Sequence, residues 1–221
     1  MRKSFQNELE QYRDHLTYIA NAANEAIYKA IQSLNQHDQV LAEEVVNGDL
    51  KINTLAIQIE QEAYRIIALQ QPVASDLRKV FAVLLASSDI ERLADHASNI
   101  AGTVIRRQNI PMVREAAIDE IINQMADIVK VMLSDAIEAF IQEDATKARE
   151  VALRDNEVDR LLKEVYDQTN HLMLTHTDED RIEIARDYVI IAKALERMGD
   201  YVTNICERIV YMESGEIVEL D

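Results

Sequence analysis

Two stretches of the chain, ERLADHASNIA from Glu91 and ERMGDYVTNIC from Glu196, repeat one series of oxygen-bearing side chains 105 residues apart. Each places a carboxylate, a second carboxylate four residues on, and an asparagine four beyond that: Glu91, Asp95, Asn99 and then Glu196, Asp200, Asn204. On an α-helix this spacing stacks the three side chains along one face. Hard oxygen donors in such a line suit a divalent or trivalent cation. A single acidic pair on a helix flank is ordinarily a solvated charge or the partner of an arginine, and Arg92 and Arg197 stand beside these. Like charges at this spacing nevertheless cost a helix about 0.2–0.5 kcal/mol per pair, so the repetition points to a compensating charge.

The elements that carry the series must be long helices. Of 221 residues 48% are apolar, enough to bury a core, and only 4 Gly and 2 Pro interrupt the chain. Punctuation falls at 35–39 (NQHDQ), 70–76 (QQPVASD), 108–113 (QNIPMV), 142–146 (QEDAT) and 176–180 (HTDED), between stretches of about 30 residues with 3.6-residue apolar periodicity. Six helices are expected, with Pro72 and Pro111 at breaks and Asp76 and Asp178 or Asp180 near helix starts. The repeat extends beyond the acidic series: IQSLNQHD at 31–38 parallels IEAFIQED at 137–144, and VVNGDLKINTL at 45–55 parallels EVALRDNEVDRLL at 150–162. The expected fold is all-α, two tandem three-helix bundles, with the first repeat over residues 1–108 and the second over 109–221.

That duplication supplies partners for the acids. Asp49 and Asn53 lie on the second helix, on the flank of Ile52, Leu55, Ala56 and Ile59, at the same height above the turn as Glu91 and Asp95, each about 30 Å at 1.5 Å per residue. Asp155 and Asp159 hold the corresponding place opposite Glu196 and Asp200. Two nests of oxygen ligands across antiparallel neighbours are therefore expected, with Asn99 and Asn204 as outer donors. Oxygen donors of this kind admit Fe, Zn, Mg or Mn, and spacing does not choose among them.

Other chemistry is thinly represented. The one cysteine, Cys206, excludes an intrachain disulfide, a thiolate zinc site and a CxxC pair, which makes the cytoplasm the simplest setting. The five histidines form no HExxH, and the tyrosines and Met173 read as bundle packing. The longest uncharged apolar run, VFAVLLA from Val80, is far short of the roughly 20 residues that span a bilayer, so no direct membrane insertion is expected. A net charge of −17, from 40 acidic and 23 basic residues, repels nucleic acid and anionic lipid and attracts cations.

The paired ERLADHASNIA and ERMGDYVTNIC, with QPVASDLRKV at 71–80 before the first, resemble the duplicated signature of the PhoU family of phosphate-uptake regulators, over essentially the whole chain. The resemblance implies a cytoplasmic negative regulator of phosphate uptake and phosphate-starvation signalling. It implies a bridge between the phosphate ABC transporter and a sensor histidine kinase, recruited to the inner face of the membrane through those proteins. Some members hold multinuclear metal clusters at E/DxxxD motifs, here Glu91 and Asp95, then Glu196 and Asp200. A homodimer is expected. DLRKV has no close counterpart in the second half, which reads DRIEI from Asp180, so a role of Arg78 is not duplicated. The alternative is a carboxylate-bridged metalloenzyme or metal-storage protein. Against it, the ExxH of ferritin-like sites is absent, since Ala94 and Gly199 stand three residues after each Glu.

Overall fold

The computed structural model describes residues 2–107, 114–176 and 178–220, with side chains from residue 5 onward. The expected repeat boundary at 108/109, and Pro111, lie outside the described residues. The helices are α1 (Arg2–Gln36), α2 (Gln39–Gln70), α3 (Ser75–Arg106), α4 (Ala116–Gln142), α5 (Ala145–Ala152), α6 (Asp155–Thr175) and α7 (Glu179–Ser214), and no strand occurs among the described residues. The expected fifth helix is split into α5 and α6. At Leu153 and Arg154 the backbone stays right-handed but tightens: Arg154 N–H donates to Val151 O at 3.0 Å, and Glu157 N–H to Arg154 O at 3.0 Å. These three-residue closures mark a short 3₁₀-type break one residue before Asp155.

Helix ends repeat with the sequence. His37 and Glu143, both left-handed, close α1 and α4, and the next residues, Asp38 and Asp144, cap α2 and α5 by accepting from Leu41 N and Lys147 N. Asp178, not Asp180, caps α7 by accepting from Arg181 N at 3.1 Å. Asp76 lies in the first turn of α3, where its charge opposes the positive helix end; the cap position is Ala74, which carries no side-chain bond.

Helices α1, α3, α4 and α7 form a central ring, each packed on two of the others, while α2 lies outside on α1 and α3 and α6 lies outside on α4 and α7. The two repeats share one hydrophobic core drawn from all seven helices. Helices α3 and α7 run antiparallel. His96 stacks on Tyr201 with ring centroids 5.8 Å apart, and those residues occupy the same place in the two motifs. A similar meeting of equivalents occurs between α1 and α4, where Asn24 Nδ2 donates to Lys130 O at 3.3 Å. Contact between equivalent residues occurs only near a two-fold axis, so the halves are related by an internal pseudo-two-fold through these two points.

Candidate functional site

Helix α2 buries one stripe, Ala42, Val45, Ile52, Ile59, Ala63 and Ile66. Its alternating three- and four-residue steps leave slots at 49 and 56, filled by Asp49 and Ala56. Asp49 therefore belongs to the seam facing the core, whereas its sequence pattern places it on the flank. Across the seam its carboxyl faces that of Asp95 on α3, whose negative charge acts on it. Two ionised carboxylates held close repel each other, so the pairing calls for a shared proton or a cation.

The electrostatics of this first nest agree. Burial and then the Asp95 charge push the Asp49 carboxyl above its ordinary range, and burial followed by the charges of Asp95 and Asp49 does the same to Glu91. Asn53 Nδ2 donates to Asp49 Oδ2 at 3.1 Å. The other oxygens of that pair, Asn53 Oδ1 and Asp49 Oδ1, are buried without a hydrogen-bond donor. Arg92 exerts only a smaller opposing pull on Glu91, and among the described residues no Lys or Arg forms an ion pair with Asp49, Glu91 or Asp95. The nest borders a groove of about 430 Å³ between α2 and α3, lined by Asn53, Ala56, Ile57, Leu84, Ser88 and Glu91, which gives ions access from solvent.

The second nest lies between the equivalent helices, α6 and α7, but has different neighbours. Asp155 continues the buried stripe of α6 that runs on through Val158, Leu162, Val165, Thr169 and Leu172. It lies directly on α7 at Gly199. A Cβ built there would overlap Asp155 Oδ1 and stand 3.3 Å from its Cγ, so the glycine admits the carboxylate where Ala94 stands in the first repeat. Asp159 is half-buried one turn later. Lys193 Nζ donates to Glu196 Oε1 at 3.2 Å, Arg197 Nη1 donates to Asp200 Oδ2 at 3.2 Å, and Arg197 Nε lies 3.8 Å from Glu196 Oε2. Of the outer asparagines, Asn99 is exposed and Asn204 half-buried, one turn beyond the second carboxylates.

Among the described residues no three His, Cys, Asp or Glu side chains converge as a preformed metal cage. Mutually repelling carboxylates stay apart until a cation draws them in, and the donor set with its orphaned buried oxygens fits a hard cation. The remaining candidates serve the fold. His96 is the stacked residue on the pseudo-two-fold, its imidazole held below the ordinary value by burial and then by Arg197. Cys206 is buried in the seam, where desolvation pushes its thiol up to about 12 and makes it inert. Arg78 lays its guanidinium against the C-terminus of α7 at Gly215, a cation at the negative end of a helix.

Two helical repeats meeting at a pseudo-two-fold, each with an acidic nest between its second and third helices, can be compared with known proteins. The PhoU domain family model matches residues 16–104 and again 122–209. The chain belongs to the PhoU family. It is 34% identical to the phosphate-specific transport system accessory protein PhoU homolog of Clostridium acetobutylicum, over all of this chain and 99% of that one. The homolog of Aquifex aeolicus is 37% identical, over 96% of this chain and 94% of its own length. Among solved structures, the phosphate transport system regulatory protein PhoU of Streptococcus pneumoniae superposes with a TM-score of 0.89 at 32% identity, covering 97% of this chain and 99% of that one. PhoU from Pseudomonas aeruginosa gives 0.86 at 31% identity, over 96% and all of its chain. The PhoU repeats matched in sequence contain both nests, from Asp49 to Asp95 and from Asp155 to Asp200.

Proposed function

We propose that this PhoU-family chain is a non-enzymatic, cytoplasmic negative regulator of phosphate uptake and phosphate-starvation signalling. It acts as an adaptor between the phosphate ABC transporter and a sensor histidine kinase, with metal ions held in its carboxylate nests. What carries the reading is the full-length similarity to proteins named as accessory to the phosphate-specific transport system. The metal part rests on the facing, mutually repelling carboxylates of Asp49 and Asp95 and on the donorless buried oxygens of Asp49 and Asn53.

Asp49, Asn53, Glu91 and Asp95 would hold ions in the first nest, and Asp155, Asp159, Glu196 and Asp200 in the second, with Asn99 and Asn204 as outer donors. The bound ion supplies positive charge that relieves the repulsion between α2 and α3, or between α6 and α7, and ties each outer helix to the central ring. No helix among the described residues is long and apolar enough to cross a membrane. Residence at the membrane therefore comes through protein partners, and the −17 charge selects basic cytoplasmic faces. Screening acts within about 8–10 Å at physiological salt, so recruitment weakens as ionic strength rises.

Membrane fractionation of cells with and without the transporter and the kinase tests the adaptor role. The protein should leave the membrane fraction when both are absent, and its own deletion should leave phosphate uptake active at high phosphate. Undiminished membrane association without either partner would sink the adaptor reading. Elemental analysis of protein purified without chelator tests the metal separately.

A further inference from the structure

We infer that the two nests are unequal toward divalent cations, and that Lys193 makes them so by neutralising the second nest from within. The inference rests on the metal reading above but concerns a residue that the repeat does not duplicate. Aligned by the acidic series, Lys193 corresponds to Ser88, while Arg197 corresponds to Arg92 and is common to both copies. Lys193 Nζ sits 3.2 Å from Glu196 Oε1, and the Glu196 side chain is only 15% exposed, so the ammonium occupies the approach to a partly desolvated carboxylate. Its companion Arg197 reaches both Glu196 and Asp200.

In the first nest Ser88 is a neutral member of the groove wall beside Glu91, and no cation pairs with Asp49, Glu91 or Asp95 among the described residues. A divalent ion arriving there meets uncompensated negative charge. At the second nest it must displace an ammonium, or share the carboxylates with it. A flexible lysine can swing into solvent, but a unit charge a few ångströms from a divalent ion still changes its affinity by about tenfold through water. The first nest accordingly fills first.

Binding of Mn²⁺, followed by the loss of the free-ion electron paramagnetic resonance signal, separates the nests. Protein carrying E91Q and D95N retains only the second nest, and protein carrying E196Q and D200N only the first. The first nest should bind about tenfold more tightly; K193S in the E91Q/D95N background should tighten binding about tenfold, and S88K in the E196Q/D200N background should weaken it about as much. Equal affinities of the two nests, or a second nest indifferent to K193S, would overturn the inference and leave the metal reading standing. A wild-type chain that binds no Mn²⁺ would overturn both.

Discussion

At the residue scale, the donors that matter occupy positions where a bundle ordinarily places apolar side chains. Asp49 fills a slot in the buried stripe of α2, and Asp155 fills the corresponding slot of α6 against Gly199. The glycine can be tested directly. Gly199→Ala gains about 1 kcal/mol of helix propensity but forces the Asp155 carboxylate off the α7 backbone. The two effects nearly cancel in stability, so denaturation should move by less than about 1 kcal/mol while retention of metal by the second nest falls. Unchanged retention would show that the seat of Asp155 is irrelevant to the ion. In the first nest, replacing Glu91 and Asp95 by Gln and Asn removes like charges, so the metal-free form should gain up to about 0.5 kcal/mol. A large loss of helical signal instead would assign those carboxylates to the fold.

At the element scale, α3 and α7 form the seam between the repeats, and that seam holds an acid with no counterpart. Asp89 is 6% exposed, its Oδ2 has no hydrogen-bond partner, and it corresponds to Ala194 in the other copy. Burial pushes its carboxyl up to about 6, against the pull of Arg208 and Arg92. A carboxyl raised in the folded state takes up a proton on folding, so stability is fullest below the unfolded value near 4 and is lost as pH rises through about 6. The loss should reach about 2–3 kcal/mol by pH 7. Asp89→Asn should therefore stabilise the protein at pH 8 and lose that advantage at pH 4, as read by urea melts at the two pH values. A constant difference between variant and wild type across that range would contradict the assignment.

At the scale of the whole molecule, the repeats are fastened at one end of the central ring by a polar network that is buried at Arg107, Asp187 and Tyr188 and reaches the surface at Arg114. Arg107, at the end of α3, pairs with Asp187 of α7 at 2.8 Å with both side chains under a tenth exposed, and its guanidinium lies 5.5 Å from the Tyr188 ring centroid. Tyr188 donates to Asp119 of α4 at 2.7 Å, and Asp119 also accepts from Arg114, which donates to Asn35 O of α1 at 2.9 Å. All four inner helices meet there. Breaking a buried pair from one side leaves an uncompensated charge, so Arg107→Ala should cost about 3 kcal/mol, and adding Asp187→Ala should cost less than the sum of the two single changes. Because the core is continuous, both repeats should unfold in one transition. A biphasic denaturation curve would show that the halves are independent after all.

The helical class, the duplication and the family were legible in the sequence because each depends on local pattern. Few Gly and Pro, 3.6-residue periodicity and two copies of one motif survive without any knowledge of packing. The α2–α3 register was legible too, since helix rise and a short turn place Asp49 at the height of Asp95. Tertiary structure alone decided the rest. That the repeats share one core, with His96 on Tyr201 at their axis, follows from which faces of α3 and α7 meet, and both are apolar around much of their circumference. That Asp49 lies in the seam and not beside it depended on where α2 points its stripe. Lys193, three residues before Glu196 where the first copy has Ser88, was legible too, but that Arg197 pairs with Asp200 while Arg92, at the same spacing, forms no ion pair with Asp95 among the described residues depended on side-chain reach in the folded chain.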